Sequence, residues 1–484
     1  MAPKERETEL ARKLEAARRS LVSTRLRLLA ADRTLAAVYT SRSWRATAPL
    51  RAVGRRCPSF VRASWLAFKA LAWAATGQLP RRIKAWQEAA RRGDETDTSS
   101  SQPKAPAGIS AAVPAGRPRI LLADWSVPQP DRGAGYRVTQ AIIDTLLAEG
   151  WSVCFWPEDR AYRDPYTGRL ESQGVTVIDS RLGSDLDAWL IKHGGSLEHV
   201  MLMRPHMSAR LLPLVLCYTT AAISYYGHDL HFARLRDEAA LTRDPDLAER
   251  ANQMKSVERG IWRAVDVVIY PSVDEADTVR SLEPGVKACA LPLFFYRTFR
   301  YREEVTKGAT LLFVGGYLHR PNEDAAVFLA QNILPHIRIR CPSARLILVG
   351  ADPTPRVKAL ASDVIEVTGP VDDASLKRLY ETARVVLAPL RVGAGVKGKV
   401  VEALHEGVPV VTTPVGAQGM PFLERIVPVC EDEGDFVDSV SALLSDDSMW
   451  LTQSHAQTAY AQGNFCQEKF ETELLTIVNA HVTA

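Results

Sequence analysis

The spacing of hydrophobic and polar residues predicts alternating strands and helices from residue 117 onward. Short apolar runs, which are typical of buried strands, begin at Arg119 (RILLADW), Trp151 (WSVCFWP) and Val265 (VDVVIYPS). Between the first two lies YRVTQAIIDTLLAEG, whose apolar residues recur at helical spacing. The runs VMLMRP and AAISYYG predict two more strands. Strands that alternate with helices favour a parallel sheet with helices on both faces.

The same alternation begins again at Thr310, so the sequence predicts a second sheet. Further strands are expected at residues 345–350, 364–369, 385–390 and 409–416, with helices at 322–339, 355–362, 375–383 and 400–407. We therefore predict two Rossmann-like, doubly wound α/β domains, at residues 117–300 and 301–484. Ligands of such sheets bind at the carboxyl ends of the strands, so the cleft between the domains is the expected site.

Residues 1–116 show a different pattern and predict an α-helical extension followed by a linker. Residues 1–40 carry an apolar seam that steps by four and three, typical of a short coiled coil or of one amphipathic helix packed on the body: Leu10, Leu14, Ala17, Leu21, Thr24, Leu28, Ala31, Leu35 and Val38. Residues 93–116 mix Ser, Thr, Pro, Gly and Ala without periodicity, as linkers do.

Residues 41–92 combine tryptophans with basic residues. Trp65 and Trp73 lie in an apolar stretch that also holds Arg62 and Lys69, and a basic RRIK follows it. Charges inside the stretch argue against a membrane-spanning helix. The pattern favours a helix that lies in the membrane interface, and the alternative is a helix docked on the protein.

Composition and charge agree with a folded protein whose first part is basic. The chain has 484 residues, of which 46% are hydrophobic and 24% charged, which excludes a disordered or multi-span membrane protein. The net charge is only +4, yet residues 1–100 contain 21 Lys and Arg against 9 Asp and Glu. A basic arm on an acidic body suggests an anionic partner, and we expect a membrane surface rather than nucleic acid.

The cysteines and the amino terminus favour a cytoplasmic protein. The seven cysteines are scattered singly, without metal-ligand spacing, so we expect reduced thiols and no metal site. The first residues are charged and lack the apolar core of a signal peptide.

A glycine-rich loop followed by two lysines and a glutamate is the first candidate site. Gly393 and Gly395 follow the strand VVLAPL and precede a helix predicted to begin near Val396. Such a turn lets the backbone approach a ligand and turns free N–H groups of the helix toward an anion. Lys397 and Lys399 add positive charge, and Glu402 lies one helical turn further on. Alternatively, the loop is only a tight strand-to-helix turn.

In each domain, a further glycine turn follows the first strand. Gly315 and Gly316 precede Arg320, whose guanidinium could clamp phosphate oxygens. The alternative for Arg320 is plain surface charge ahead of a helix that Asn322 caps. Gly133 and Gly135 lie in the loop PQPDRGAGYR, which we expect to oppose the other two glycine loops across the cleft.

A histidine–aspartate pair follows the strand AAISYYG. His228 and Asp229 stand in the loop HDLHF, at a strand's carboxyl end where catalytic groups of α/β sheets collect. A lone histidine is usually structural, but this placement favours a functional role for the pair. His231 is a weaker candidate.

These motifs resemble those of a known family. The segments LLFVGGYLHRPNEDA, VVLAPLRVGAGVKGKVVEALHEGVPVVTTPVG, VPQPDRGAG and HDLHF are similar to the retaining, two-Rossmann-domain (GT-B) glycosyltransferases of family 4, over roughly residues 118–460. The resemblance implies a nucleotide-sugar as substrate, no other cofactor and no divalent metal. SWRATAPLR resembles a segment that precedes such domains in cell-surface polysaccharide enzymes.

The resemblance also implies roles for particular residues. Glu402 matches the second glutamate of the family's E-x7-E motif, which holds the ribose of the nucleotide. The first glutamate, which the family places near the donor sugar, would fall at Ala394 and is missing. His228 matches the histidine that contacts the donor sugar. We expect catalysis to involve His228, Asp229, Arg320 and Lys397, and donor binding to involve these residues: Gly133, Gly135, Gly315, Gly316, Gly393, Gly395, Lys399 and Glu402.

The sequence thus predicts a hexosyltransferase that uses a nucleotide-sugar and a lipid-linked or cell-surface glycan acceptor. It would work peripherally at the inner face of a bacterial cell membrane, with self-association through the coiled coil as an option. The alternatives are a nucleotide-sugar 2-epimerase of the same fold and a non-catalytic, sugar-binding scaffold. A dehydrogenase is disfavoured because no G-x-G-x-x-G opens either domain in the right place.

Overall fold

The computed structural model describes residues 117–183 and 185–480. The predictions of a coiled coil, a membrane-interface helix and a linker fall on residues 1–116 and lie outside the described part. Within the described part, two parallel sheets of seven and five strands are each covered by helices. The prediction of two doubly wound α/β domains is confirmed.

The first sheet has the strand order β3-β2-β1-β4-β5-β6-β7, and every pairing in it is parallel. Its strands are β1 (Arg119–Asp124), β2 (Ser152–Pro157), β3 (Thr176–Val177), β4 (His199–Met203), β5 (Ala222–Tyr226), β6 (Val267–Tyr270) and β7 (Ala288–Ala290). Seven helices lie between or beside its strands in the chain: α1 (Ala134–Ala148), α2 (Tyr166–Ser172), α3 (Leu186–His193), α4 (Pro205–Tyr218), α5 (His231–Thr242), α6 (Pro245–Trp262) and α7 (Val273–Leu282).

The second sheet has the order β10-β9-β8-β11-β12, again entirely parallel. Its strands are β8 (Thr310–Val314), β9 (Arg345–Val349), β10 (Ile365–Gly369), β11 (Val385–Ala388) and β12 (Val410–Thr412). The helices that follow in the chain are α8 (Arg320–Phe328), α9 (Leu334–Arg340), α10 (Pro355–Lys358), α11 (Asp373–Thr382), α12 (Gly398–His405), α13 (Glu433–Ser445), α14 (Asp447–Phe465) and α15 (Gln467–Asn479).

The burial of the central strands explains their uniform apolar sequences. In β1 the residues from Ile120 onward are buried, and all of β4, β6 and β11 are buried as well. A central strand of a parallel sheet has helices on both faces, so both sets of side chains enter the core. Helix α12 shows the complementary pattern: Val400, Val401, Ala403 and Leu404 are buried, while Glu402 faces the pocket.

Three local expectations differ from the structure. Helix α8 begins at Arg320 with His319 as its N-cap, so Asn322 lies inside the first turn rather than at the cap. Residues 355–362 form only the short helix α10, because the segment after Lys358 turns to enter β10. The helix expected at 322–339 contains a π-helical segment at Leu329–Ile333 between α8 and α9.

The last helix, α15, packs against the first domain although it follows the second domain in sequence. Phe470, Leu474, Ile477 and Val478 join the hydrophobic core of the first domain. The ring of Phe470 stacks on Phe295 with a centroid distance of 4.2 Å. The chain therefore crosses between the domains twice, and the second crossing ties them together.

Within the described residues, the longest helices are too short or too polar to cross a bilayer.

Candidate active site

The main candidate site is a pocket of about 320 Å³ at the carboxyl edge of the second sheet. Its walls are the loop after β8, the start of α8, the loop after β11 and the first turns of α12. The lining residues are Val314, Gly315, His319, Pro321, Asn322, Leu390, Val392, Gly393, Ala394, Val396, Lys397, Gly398, Lys399 and Glu402. A parallel sheet opens its ligand crevice at this edge, as the sequence predicted.

The loop from Gly393 to Lys397 forms one wall of the pocket. Gly395 has φ = +72°, in the left-handed region where a residue with a Cβ is strained. Lys397 is the N-cap of α12, and its Nζ donates to the carbonyl of Gly395 and to Oε1 of Gln418 at 3.1 Å. The lysine therefore braces the loop, and the free N–H groups at the start of α12 stand beside it.

Two lysines in the pocket lining make the pocket suitable for binding an anion. Burial lowers the pKa of Lys397 to about 8, although the negative charges of Glu275 and Asp229 oppose the shift. Burial, together with the charge of Lys397, lowers the pKa of Lys399 to about 7. The Lys399 ammonium donates to Oδ1 of Asn322. Both ammonium groups have lost solvation, so a phosphate that enters would restore favourable interactions for each.

Glu402 stands one turn into α12 and lines the pocket. The hydroxyl of Tyr380, which is buried, donates to its Oε2 at 3.0 Å. Burial raises the pKa of Glu402, and the hydrogen bond from Tyr380 and the charges of Arg137 and Lys399 act against this shift. No described residue donates a hydrogen bond to the other carboxylate oxygen, Oε1. This oxygen can therefore accept a hydrogen bond from a hydroxyl group of a ligand.

The glycine turn after β8 contributes to the pocket, but Arg320 does not. Gly315 lines the pocket and lies against Asn322, where an added Cβ would be 2.8 Å from Cγ. Gly316 accepts a hydrogen bond from Nδ2 of Asn322 at 2.9 Å through its carbonyl oxygen. Arg320 is exposed and lies outside the pocket lining, because it is the first residue of α8 and its side chain points to solvent.

The glycine turn before α1 lies against the histidine loop of the first domain. An added Cβ at Gly135 would be 2.9 Å from Nη2 of Arg204 and 3.2 Å from Nδ1 of His228. Gly133 is the N-cap of α1 and has open space around it. Arg204 in turn forms an ion pair at 2.7 Å with Asp124, which is fully buried at the end of β1.

His228 is a buried, neutral imidazole with an unused nitrogen. Burial and the charge of Arg204 lower its pKa to about 3, while Asp124 opposes the shift. Its Nε2 has no hydrogen-bond partner among the described residues. Its backbone has φ = +62°, a conformation that a residue other than glycine adopts at a cost. A strained, unpartnered histidine at a sheet edge is typical of a ligand-binding position.

Asp229 has a different environment from its neighbour. It forms ion pairs with Arg234 at 2.8 Å and with His231, and these cations hold the pKa of its carboxyl well below the usual range. Asp229 therefore keeps its charge and fixes the loop that carries His228. The structure gives it the position of a supporting residue beside the cleft.

The loops of the two domains meet directly. A Cβ at Gly395 would be 3.6 Å from Cβ of Asp229 and 3.5 Å from Oε1 of Glu275. The backbone N–H of Gly419 donates to Oδ2 of Asp274 at 3.2 Å. Residues of the first domain thus contact the loop that carries part of the pocket lining.

Sequence reasoning missed two of these groups, Arg204 and Glu275. Arg204 follows β4 directly, so its place at a strand's carboxyl end was a usable signal. Glu275 follows Ser272 by three residues at the start of α7, which is the spacing of a helix capping box. That spacing points to a structural role and gave no hint of the neighbouring pocket.

The comparisons with known proteins agree with this geometry. Residues 308–446 match the family model described as glycosyl transferases group 1. A sucrose-phosphate synthase from Thermosynechococcus elongatus superposes with a TM-score of 0.58 at 17% identity, over 76% of this chain and all of the other. HepE of Anabaena, solved in complex with UDP, superposes with a TM-score of 0.55 at 13% identity, over 75% of this chain and all of the other. The fold is that of GT-B glycosyltransferases.

A sequence relative adds a narrower match. A phosphatidyl-myo-inositol mannosyltransferase from Mycolicibacterium smegmatis is 29% identical over 150 residues, or 30% of this chain. The match spans 38% of the length of that relative. The family model lies within the second domain, while the structural similarity extends over both domains.

The residues 117–183 and 185–480 contain no group of three or more His, Cys, Asp or Glu arranged to hold a metal ion. The expectation of a metal-independent reaction stays a prediction.

Proposed function

We propose that this protein is a glycosyltransferase that moves a sugar from a nucleotide-sugar to a glycan or glycolipid acceptor. The observation that carries the proposal is the pocket itself. It joins a glycine-rich loop, the start of α12, two lysines of lowered pKa and one carboxylate. The match to group 1 glycosyl transferases and the GT-B fold support the same function.

The pocket suits the two halves of a nucleoside diphosphate. The loop, the N–H groups at the start of α12 and the ammonium groups of Lys397 and Lys399 would hold the diphosphate. Glu402, one turn further along, would accept hydrogen bonds from the ribose hydroxyls. The sugar would then lie toward the cleft, where the first domain presents His228 and Glu275.

The reaction needs no nucleophilic side chain in this arrangement. The bond between the sugar C1 and the phosphate oxygen breaks, and the departing nucleoside diphosphate keeps the electron pair. Lys397, Lys399 and the backbone amides would stabilise that developing charge, and such preorganised groups supply several kcal/mol. The acceptor hydroxyl attacks C1 and its proton passes to the departing phosphate oxygen. Attack on the same face gives retention, as the resemblance to family 4 implies.

His228 would orient the donor sugar. Its imidazole is neutral because its pKa is about 3, and Nε2 has no hydrogen-bond partner among the described residues. A neutral nitrogen can donate to or accept from a sugar hydroxyl, depending on its tautomer. Asp229 would hold the loop in place, and Arg320, which lies outside the pocket lining, would contribute only if the donor extends toward α8.

The proposed membrane location and lipid-linked acceptor rest on the sequence of residues 41–92. The basic, Trp-containing segment 41–92 would hold the enzyme at an anionic membrane surface, near a lipid-linked acceptor. Deletion of residues 1–92 is expected to release the protein from vesicles that contain anionic lipid at low salt. Retention of the truncated protein on those vesicles would refute this part of the proposal.

A panel of UDP-, GDP- and dTDP-linked hexoses tests the function. A donor that fits should raise the melting temperature of the full chain, because binding to the folded state stabilises it by mass action. Product analysis with that donor then separates the alternatives. Conversion of the nucleotide-sugar without an acceptor would indicate an epimerase, and binding without any turnover would indicate a scaffold.

A further inference from the structure

The end of the pocket formed by the loop of residues 392–397 has no side-chain hydrogen-bond acceptor from the second domain. Val392, Gly393, Ala394 and Val396 carry no polar side chain, and Lys397, whose Nζ donates to the carbonyl of Gly395, is only a donor. A sugar carries several hydroxyl groups, and a buried hydroxyl without a hydrogen-bond partner is costly. A sugar at this end therefore needs an acceptor from elsewhere.

The first domain places a carboxylate against this loop. Oε1 of Glu275 is 3.5 Å from the position that a Cβ on Gly395 would take. The side chain belongs to the first turn of α7 and is only 6% exposed. The same turn contacts the second domain once more, through the hydrogen bond from Gly419 N–H to Asp274. Two contacts from one helical turn fix the carboxylate relative to the loop.

The hydrogen-bond partners of Glu275 are neutral, and the charge of Lys397 acts on it only from beyond ion-pair distance. Ser272 Oγ donates to Oε2 at 2.8 Å, and the N–H of Leu230 donates to Oε1 at 3.3 Å. Each oxygen can accept a further hydrogen bond. Among the described residues no ion pair reaches Glu275, whereas the neighbouring Asp229 is committed to Arg234 and His231.

We propose that Glu275 binds a hydroxyl group of the donor sugar and supplies, from the first domain, the carboxylate that Ala394 does not provide. The inference rests on the proposed function. It makes the sugar site a composite of both domains, because the nucleotide would be held by the second domain and the sugar by Glu275 and His228 of the first. Sugar selection would then depend on residues outside the E-x7-E motif.

Binding measurements on Glu275→Gln test the proposal, because glutamine keeps the size of the side chain and an oxygen that can accept from Leu230. The probes are the nucleotide-sugar selected from the UDP-, GDP- and dTDP-linked panel and its matching nucleoside diphosphate. Affinity for the nucleotide-sugar should fall by about tenfold to a hundredfold, the range for a lost hydrogen bond to a charged group. At about pH 6.5, where Lys397 stays protonated, affinity for the nucleoside diphosphate should not fall.

The double variant Glu275→Gln with Ala394→Glu provides a rescue that a structural role would not show. A carboxylate at position 394 should restore nucleotide-sugar affinity, because it enters the same end of the pocket from the other domain. The matched control is Glu283→Gln, at the far end of α7, where Glu283 pairs with Arg259 and Arg263. That variant should leave both affinities unchanged.

Four results would overturn the proposal. Equal losses for both ligands, or failure of the double variant to recover, would show that Glu275 only supports α7 and the histidine loop. Unchanged nucleotide-sugar affinity in Glu275→Gln would show that it touches no sugar, while the proposed function would stand. If the unmodified chain bound the nucleoside diphosphate but no nucleotide-sugar, the proposed function would fail together with this inference.

Discussion

Glu402 is the one carboxylate in the described lining of the pocket, and its fixed position comes from the hydrogen bond with Tyr380. Glu402→Ala should lower the affinity for a nucleoside diphosphate by about tenfold to a hundredfold, because the ribose hydroxyls lose a charged acceptor. Isothermal titration calorimetry measures the loss. Glu381→Ala is the control, since Glu381 is a partly exposed residue of α11 that pairs with Arg300. Equal affinities of the two variants would refute the ribose assignment.

The lysines predict how diphosphate binding depends on pH. Their pKa values are about 7 for Lys399 and about 8 for Lys397, and only the protonated forms attract the diphosphate. The favourable interaction is therefore fully present only about one pH unit below the pKa of Lys399, and it is lost as pH rises through both values. Affinity for the nucleoside diphosphate should decrease between about pH 7 and pH 9. The charge of the ligand stays constant over this range, because the second pKa of a phosphate lies near 6.

An arginine substitution isolates the contribution of Lys399. Lys399→Arg keeps its charge throughout this range, because the guanidinium pKa lies above about 12. Its affinity curve should be flatter above neutral pH than that of the unmodified protein. A curve as steep as that of the unmodified protein would assign the pH dependence to another group.

The loop between β11 and α12 is the structural element on which the site depends most. Gly395→Ala should destabilise the protein by about 1–2 kcal/mol, because an L-residue at φ = +72° is strained. It should also weaken donor binding, since relief of the strain moves the loop. Gly463→Ala, in α14 with open space around the added Cβ, is the matched control and should be neutral or stabilising. Thermal unfolding and calorimetry measure both effects; a neutral Gly395→Ala would contradict the account.

Elements with a strong sequence pattern were predictable, and those governed by context were not. The central strands β1, β4, β8 and β11 are continuous apolar runs bounded by polar residues, so their existence followed from the sequence. The edge strands β3 and β7 have only two and three residues and were missed, because pairing with a neighbour, rather than their own pattern, forms them. The short helix α10 ends early because the segment after Lys358 turns to enter β10, which the helix's own pattern does not show.

Some residues of the candidate site could likewise be predicted from the sequence, and others could not. Glycine turns before helices mark a backbone conformation, so Gly395 and Gly315 could be found from the sequence alone. The side-chain direction of Arg320 could not be found, because it depends on where α8 begins. The position of Glu275 beside Gly395 depends on how two domains dock, and no local pattern contains that information.

On the scale of the whole molecule, α15 holds the two domains in register. Leu474→Ala should lower the free energy of unfolding by about 2–5 kcal/mol, because the side chain is fully buried in the core of the first domain. Chemical denaturation measures the change. Ile339→Ala removes a side chain that is 78% exposed and should change stability by less than about 0.5 kcal/mol. A small effect of Leu474→Ala would mean that α15 does not pack on the first domain.

Transfer of a radiolabelled sugar to an acceptor is the sharpest test of glycosyltransferase activity. The full chain is incubated with the nucleotide-sugar selected from the panel and with a bacterial membrane fraction as the source of acceptor, alongside the variant Lys399→Met. We predict that label enters the glycolipid or glycan fraction with the unmodified chain, and that the rate falls by about a hundredfold or more when the ammonium is removed. Bound nucleotide-sugar with no label on any acceptor, or equal rates for the two proteins, would contradict the account.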